Sequence, residues 1–199
     1  YQQARAALQT GETQRYEVGY RGGIRPVSVP KANSLKLLEQ ADATFESGDY
    51  DKAIEQYTEV LRTDSRLPSA WFGRCKAFLR QGFPSTAVDD FNVAINDTKQ
   101  PTEVLLERGK AYAAMGKQYI AVQDFTEAIR RKPALTEAYF ERGKSHLASR
   151  SYDRALADFN ETVKRDPSKG SIVKPLWADV YRGRAQDKLL AEDFAGALA

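Results

Sequence analysis

Side-chain size and polarity repeat along this chain every thirty-four residues, through four consecutive stretches at 34–67, 68–101, 102–135 and 136–169. Numbered within a stretch, position 8 is small (Ala41, Cys75, Gly109, Gly143) and position 20 is always alanine (Ala53, Ala87, Ala121, Ala155). Position 24 is a large aromatic (Tyr57, Phe91, Phe125, Phe159) and position 27 is small or β-branched (Val60, Ala94, Ala128, Thr162). Position 4 is bulky: Leu37, Trp71, Leu105 and Tyr139. Apolar residues recur at helical spacing in two blocks, positions 1–14 and roughly 16–30, so each unit predicts two helices, A and B. Position 15 lies between them, and Gly48, Gly82 and Gly116 suit a turn there. The fourth unit has Arg150 instead, which should cost a little stability or force a different turn. Pro84 opens one B helix, where a missing N–H does no harm, and Pro133 and Pro167 stand just past helix ends. One such unit cannot bury its apolar face alone. Stacked units can, and the stack curves into a concave surface, an all-α solenoid of antiparallel helix pairs.

The ends of the chain depart from this pattern. Residues 1–33 do not fit the period and form a basic arm or linker, in which 1–8 predict a short helix. Between Gly19 and Pro30, glycines and prolines predict extended or turning backbone. After Lys169, residues 170–177 read as an insertion, and Ala178, Arg184 and Ala185 then resume the period as a partial fifth repeat, 178–199. Asp193 and Phe194 match Asp49 and Tyr50, the start of a B helix. An apolar face left uncovered there should meet a partner, a neighbour or further protein. A chain that opens on Tyr1 and stops within a helix reads as a fragment or trimmed chain.

Charge narrows the functional classes. The formal net charge is +3. Arg5, Arg15, Arg21, Arg25 and Lys31 against Glu12 and Glu17 place all of it in the arm, so the repeats are neutral. A neutral solenoid has no broad field to attract nucleic acid. No apolar run reaches the roughly 18 residues that would span a bilayer. One cysteine, Cys75, excludes a disulfide framework, and with one histidine, His146, too few soft ligands exist for zinc. Gly22 and Gly23 are followed by Ile24, Arg25 and Pro26, not by a phosphate-loop lysine and helix start. No catalytic residue, metal or cofactor is assigned. The compartment is left open, with an intracellular one slightly favoured.

Ala41, Gly48, Tyr50, Ala53, Tyr57, Asp64 and Ser65, with Arg108, Gly109, Tyr112, Gly116, Ala121, Phe125, Ala128 and Pro133, resemble the tetratricopeptide repeat (TPR) pattern. The resemblance covers Ser34 onward and implies a TPR superhelix whose work is holding peptides or larger partners. It also implies that positions 2, 5, 9 and 12 of each A helix line the concave groove. Candidate groove residues are then Leu38, Phe72, Leu106 and Phe140 at position 5, with Lys76, Lys110 and Lys144 at position 9, where the first unit has Asp42. Position 12 carries Phe45, Leu79, Ala113 and Leu147. An apolar stripe beside spaced lysines suits an extended or helical segment with apolar anchors and acidic groups; equally, position 5 packs between repeats and the lysines are solvated. Some relatives clamp the C-terminal carboxylate of chaperones with Lys, Asn, Asn, Lys and Arg. Leu38, Asp42, Gly73, Glu103 and Glu107 occupy those places here, and Glu137 and Glu141 would add repulsion.

A second pattern reads as structural. Position 7 is Gln40, Arg74, Arg108 and Arg142, and position 23 is Gln56, Asp90, Asp124 and Asp158. Arg faces Asp and Gln faces Gln, so three ion pairs and one amide pair are expected across the hairpins. Cys75 should be buried and inert, and His146 should pack in the core or at the groove edge. The expected function is a non-catalytic protein–protein interaction scaffold with a protein or peptide partner. The alternatives are a structural subunit of a larger assembly, or an accessory module of a larger enzyme. Self-association through the arm, which residues 16–30 allow by lying along a groove, or through the uncapped C-terminal repeat is a further expectation.

Overall fold

In the computed structural model the described residues are 16–18, 24–26, 32–95 and 101–197, with side-chain surroundings described for 33–95 and 101–191. Most of the arm, including the expected helix at 1–8 and the placement of 16–30 along a groove, lies outside them, as do the side chains of Asp193 and Phe194. Within the arm, Tyr16–Val18 (β1) pairs antiparallel with Ile24–Pro26 (β2), with Tyr16 opposite Pro26 and Val18 opposite Ile24.

Eight helices form four hairpins: Ala32–Glu46 (α1) with Tyr50–Thr63 (α2), Pro68–Arg80 (α3) with Pro84–Ala94 (α4), Pro101–Ala114 (α5) with Gln118–Arg131 (α6), and Thr136–Ala148 (α7) with Tyr152–Arg165 (α8). Each helix packs on the helices before and after it in the chain, so contacts run along the row. Proline opens α3, α4 and α5, where no backbone N–H is missed. Asp49 caps α2 by accepting from the Lys52 N–H at 3.2 Å.

The four hairpin turns share one geometry. Gly48, Gly82 and Gly116 adopt positive φ, and so does Arg150 at 56°. In each, the residue at position 15 donates to the carbonyl three residues earlier, as Gly116 does to Ala113 at 3.0 Å and Arg150 to Leu147 at 2.9 Å. The departure at Arg150 therefore does not force a different turn. It keeps the left-handed conformation that a Cβ opposes, at a cost of about 1 kcal/mol. The Arg150 guanidinium meanwhile bonds to Asp187 and, at 3.2 Å, to the Tyr152 hydroxyl.

The periodic small and aromatic residues meet in the core. Ala53, Ala87, Ala121 and Ala155 are fully buried, as are Tyr57, Phe91, Phe125 and Phe159. Ala41, Cys75, Gly109 and Gly143 are buried opposite them. At Gly109 a Cβ would lie 2.6 Å from the Phe125 ring, and at Gly143 it would lie 2.8 Å from the Phe159 ring. A fully buried aromatic of this kind contributes roughly 1.5–3 kcal/mol.

The C-terminal segment differs from its sequence reading. Residues 170–177 are not an insertion, and no second hairpin begins near 193. After a 3-10 turn at Pro167–Lys169, Gly170–Ala197 is one 28-residue helix (α9), about 42 Å long at the ordinary rise. Val173 and Val180 are fully buried, like Ala70, Val104 and Ala138 at position 3 and Ala77 and Ala111 at position 10. The A-helix register thus resumes one residue late, at Ser171. Ala185, expected at the small interhelix position, is exposed. No glycine stands where a turn would fall, and the run Ala185–Ala191 consists largely of good helix formers, so the helix continues. Pro175 lies inside it and removes the hydrogen bond that the Ser171 carbonyl would accept.

Replacing Gly109 by alanine should lower stability by about 1–3 kcal/mol, because Phe125 is enclosed and cannot yield without disturbing its neighbours. Urea unfolding measures this, and an unchanged midpoint would mean that the hairpin has room for a methyl group.

Candidate functional site

Positions 5, 9 and 12, the candidate groove positions, share one side of each A helix by helical spacing. Phe72, Phe140 and Leu38 are half-buried, as are Leu79, Ala113 and Leu147, whereas Leu106 and Phe45 are buried. Leu106 joins the core formed with Ala121 and Phe125, so the apolar stripe is interrupted at the third unit.

The three lysines differ in what holds them. Lys76 Nζ lies over two rings, 4.7 Å from the centroid of Phe45 and 5.1 Å from that of Phe72. Among the described residues it has no carboxylate within ion-pair distance. Lys110 Nζ donates to Glu107 at 2.7 Å and to Glu137 of the next unit at 2.6 Å. Burial alone would depress its pKa, but the two carboxylates outweigh that and raise it. Lys144 Nζ donates to Glu141 at 2.8 Å and lies 5.3 Å from the Phe140 centroid. Asp42, the residue at this position in the first unit, accepts from the Tyr57 hydroxyl at 2.6 Å. Burial, reinforced by Asp42, pushes the Tyr57 phenol up. Glu103 at the groove edge lies 3.9 Å from Lys132 Nζ. The second half of the groove is therefore a network of paired charges, and the first half is aromatic with one cation.

On a helix wheel, positions 7 and 11 lie about 160° from positions 5 and 9, facing away from the groove. Here Arg74 grips Asp90 with two bonds of 2.7 and 2.9 Å, Arg108 grips Asp124 at 2.8 and 2.7 Å, and Arg142 grips Asp158 at 2.9 and 2.7 Å. The aspartates are between 4% and 6% exposed. Hydrogen bonds to Asp124 and Asp158 hold Arg108 and Arg142 above their already high pKa values.

A third contact has no counterpart in the sequence reading. The remaining Nη1 of each arginine reaches back to position 25 of the preceding unit: Thr58 at 3.2 Å, Asn92 at 2.9 Å and Thr126 at 3.1 Å. Position 25 alternates Thr and Asn, both acceptors, and that alternation was the available signal. The amide pair expected in the first unit is absent. Gln40 is exposed and makes no bond to Gln56, whose Oε1 is buried without a partner. Gln40 lacks a preceding hairpin to hold it against the row.

Cys75 is fully buried and its thiol lies 3.1 Å from the Phe72 carbonyl; burial pushes its pKa up and so disfavours the thiolate. His146 is 8% exposed on the face away from the groove, with Nε2 3.9 Å from Asp158. No group of His, Cys, Asp and Glu among the described residues has the arrangement of a metal site. No described helix is long and apolar enough to cross a membrane.

Two family models match, a TPR repeat model over residues 41–82 and a tetratricopeptide repeat model over 106–169. The chain belongs to the tetratricopeptide repeat family. No curated protein matches it. Among solved structures it is similar to MamA from Desulfovibrio magneticus RS-1, residue 41 to the end, with TM-score 0.72, 14% identity, and coverage of 85% of this chain and 96% of that one. It is similar to YrrB, a TPR protein with an unusual peptide-binding site, at TM-score 0.65 and 17% identity over 78% of each chain. It is also similar to the first TPR of Spaghetti (RPAP3) bound to the HSP90 peptide SRMEEVD, at TM-score 0.56 and 30% identity over 58% of this chain and 91% of that one.

Replacing Arg108 by leucine should cost about 3–5 kcal/mol, since Asp124 would remain as a buried, unpaired charge. Replacing Asp124 by leucine as well should recover part of that loss. Chemical denaturation of the two variants checks both statements, and a neutral single variant would remove the staple from the account of stability.

Proposed function

We propose that this solenoid is a non-catalytic interaction module that holds an extended or helical segment of a partner protein in its concave groove. The observation that carries the reading is the row of half-buried apolar side chains on the inner face, with Phe72 and Phe140 each bearing a lysine ammonium above the ring. A segment with apolar anchors would cover these rings. Lys76, which has no described carboxylate partner, is the groove position suited to an acidic group on that segment. Lys110 and Lys144 already have carboxylates, so they act by shaping the groove. Relatives of this fold include peptide binders, RPAP3 and YrrB among them, which supports the class of ligand. A clamp for a partner's C-terminal carboxylate is not part of the proposal, because Leu38, Asp42, Gly73, Glu103 and Glu107 occupy its places.

A second reading, a subunit of a larger assembly, has its own observation. Leu189 is 63% exposed and Leu190 47% exposed in the C-terminal half of α9. A partner seated there would not need the groove.

Panning a random peptide library on the solenoid separates the two. Groove binding predicts enriched peptides with aromatic or aliphatic anchors whose affinity falls about 30-fold, or roughly 2 kcal/mol, with Phe72→Ala and with Phe140→Ala. It predicts no loss with Leu189→Glu/Leu190→Glu. Peptides indifferent to both phenylalanines would sink the groove reading, and loss only with the leucine variant would favour the assembly.

A further inference from the structure

On the face opposite the groove, the fourth unit opens a cavity of about 320 Å³ that the other units do not share in composition. It is lined by Val122 and Thr126 from α6, Arg142 and His146 from α7, and Arg154, Ala157 and Asp158 from α8. Comparison in register shows how it arises. Position 11 is Thr44, Phe78 and Tyr112 in the preceding units and becomes His146 here. Position 22 is Glu55, Asp89 and Gln123 and becomes Ala157, which removes bulk and, relative to the first two units, a negative charge. Position 19 is Lys52, Thr86 and Ile120 and becomes Arg154. All three changes favour a small negative ligand.

The charges confirm the direction. Asp158 is the one carboxylate lining the cavity, and both its oxygens are occupied by Arg142 at 2.9 and 2.7 Å. Arg154 has no ion-pair partner among the described residues. It lines the cavity and is exposed. The Thr126 hydroxyl accepts from Arg142 at 3.1 Å and so keeps its proton to donate.

We propose that this pocket binds an oxyanion of the phosphate type, as a free ion or as a phosphate monoester, through Arg154, the protonated His146 imidazole and the Thr126 hydroxyl. Arg142 stays paired with Asp158 and supplies field rather than a direct ligand. Guanidinium groups suit such oxygens because they offer paired donors in a plane.

Proton linkage follows from the same geometry. Burial holds the His146 pKa below the ordinary imidazole value; Asp158 opposes this, while Arg142 and Arg154 add to it. No charged side chain enters from α6. An oxyanion beside His146 favours its charged form, so binding strengthens as pH falls and the bound anion raises the His146 pKa.

His146 is the only histidine, so its ring resonances give an unambiguous titration by NMR on tag-free protein. At matched ionic strength, inorganic phosphate and N-acetyl phosphoserine amide are each compared with chloride. Phosphate should raise the His146 pKa by about 1 pH unit or more at saturation, and Arg154→Ala should abolish that rise while leaving the circular dichroism spectrum unchanged. Lys164→Ala, a change to an exposed cation on the same helix, should leave the rise intact. A response to phosphoserine alone would assign the monoester as ligand, and a response to both would assign the shared group. Identical titrations in chloride, inorganic phosphate and the phosphoserine amide, or an Arg154→Ala variant that responds like wild type, would overturn the proposal.

Discussion

Everything in this fold depends on how closely two helices of a hairpin approach. Phe125 and Phe159 lie where a neighbouring glycine has no side chain, within 3 Å of the point a Cβ would occupy. In those two units that contact brings the A and B helices close enough to bury the ring completely, and in the first two units Ala41 and Cys75 hold the same buried place. Each later A helix packs in addition on the B helix of the unit before.

Charge is organised by the same geometry. Facing away from the groove, the arginines at position 7 satisfy a nearly buried aspartate with two bonds and use the third to tie back to the unit before. Desolvated pairs of this kind are weak sources of stability but strong sources of register, since any slip would leave a bare charge. Within the groove, Lys110 bridges Glu107 of its own unit and Glu137 of the next. Two ties, one on each face, therefore join the third unit to the fourth. The aromatic contacts of Lys76 leave the first half of the groove less committed.

Much of this was legible from spacing. Four tandem copies in one phase place Ala53, Tyr57 and Gly109 correctly, because the requirement for a small residue against a large ring leaves little choice. Arg–Asp and Gln–Gln co-variation across positions 7 and 23 was visible as pattern, yet the pattern could not tell that Gln40 would face solvent with no preceding hairpin beside it. The lysines were harder still. Their positions follow from the repeat, but whether an ammonium meets a carboxylate or a ring depends on rotamers of Glu107, Glu141 and Phe45 that no periodicity encodes. The C-terminal error has a simple cause. Arg184 and Ala185 imitate the motif by composition, whereas burial of Val173 and Val180 shows that the register had already resumed one residue after the fourth unit ended.

The arginine ties have a consequence for how the row opens. Each junction between successive hairpins carries one, but at the junction with α9 the equivalent place falls on Trp177, whose Nε1 is buried without a hydrogen bond. Solenoid stability is close to a sum of units and their shared surfaces. The last surface lacks that arginine tie and is joined by exposed ion pairs instead, Arg150 with Asp187 and Arg184 with Asp153, so amide protons of α9 should exchange with solvent through a local opening that leaves the four hairpins shut. Fluctuation would then be graded along the molecule, rising toward its C-terminal helix.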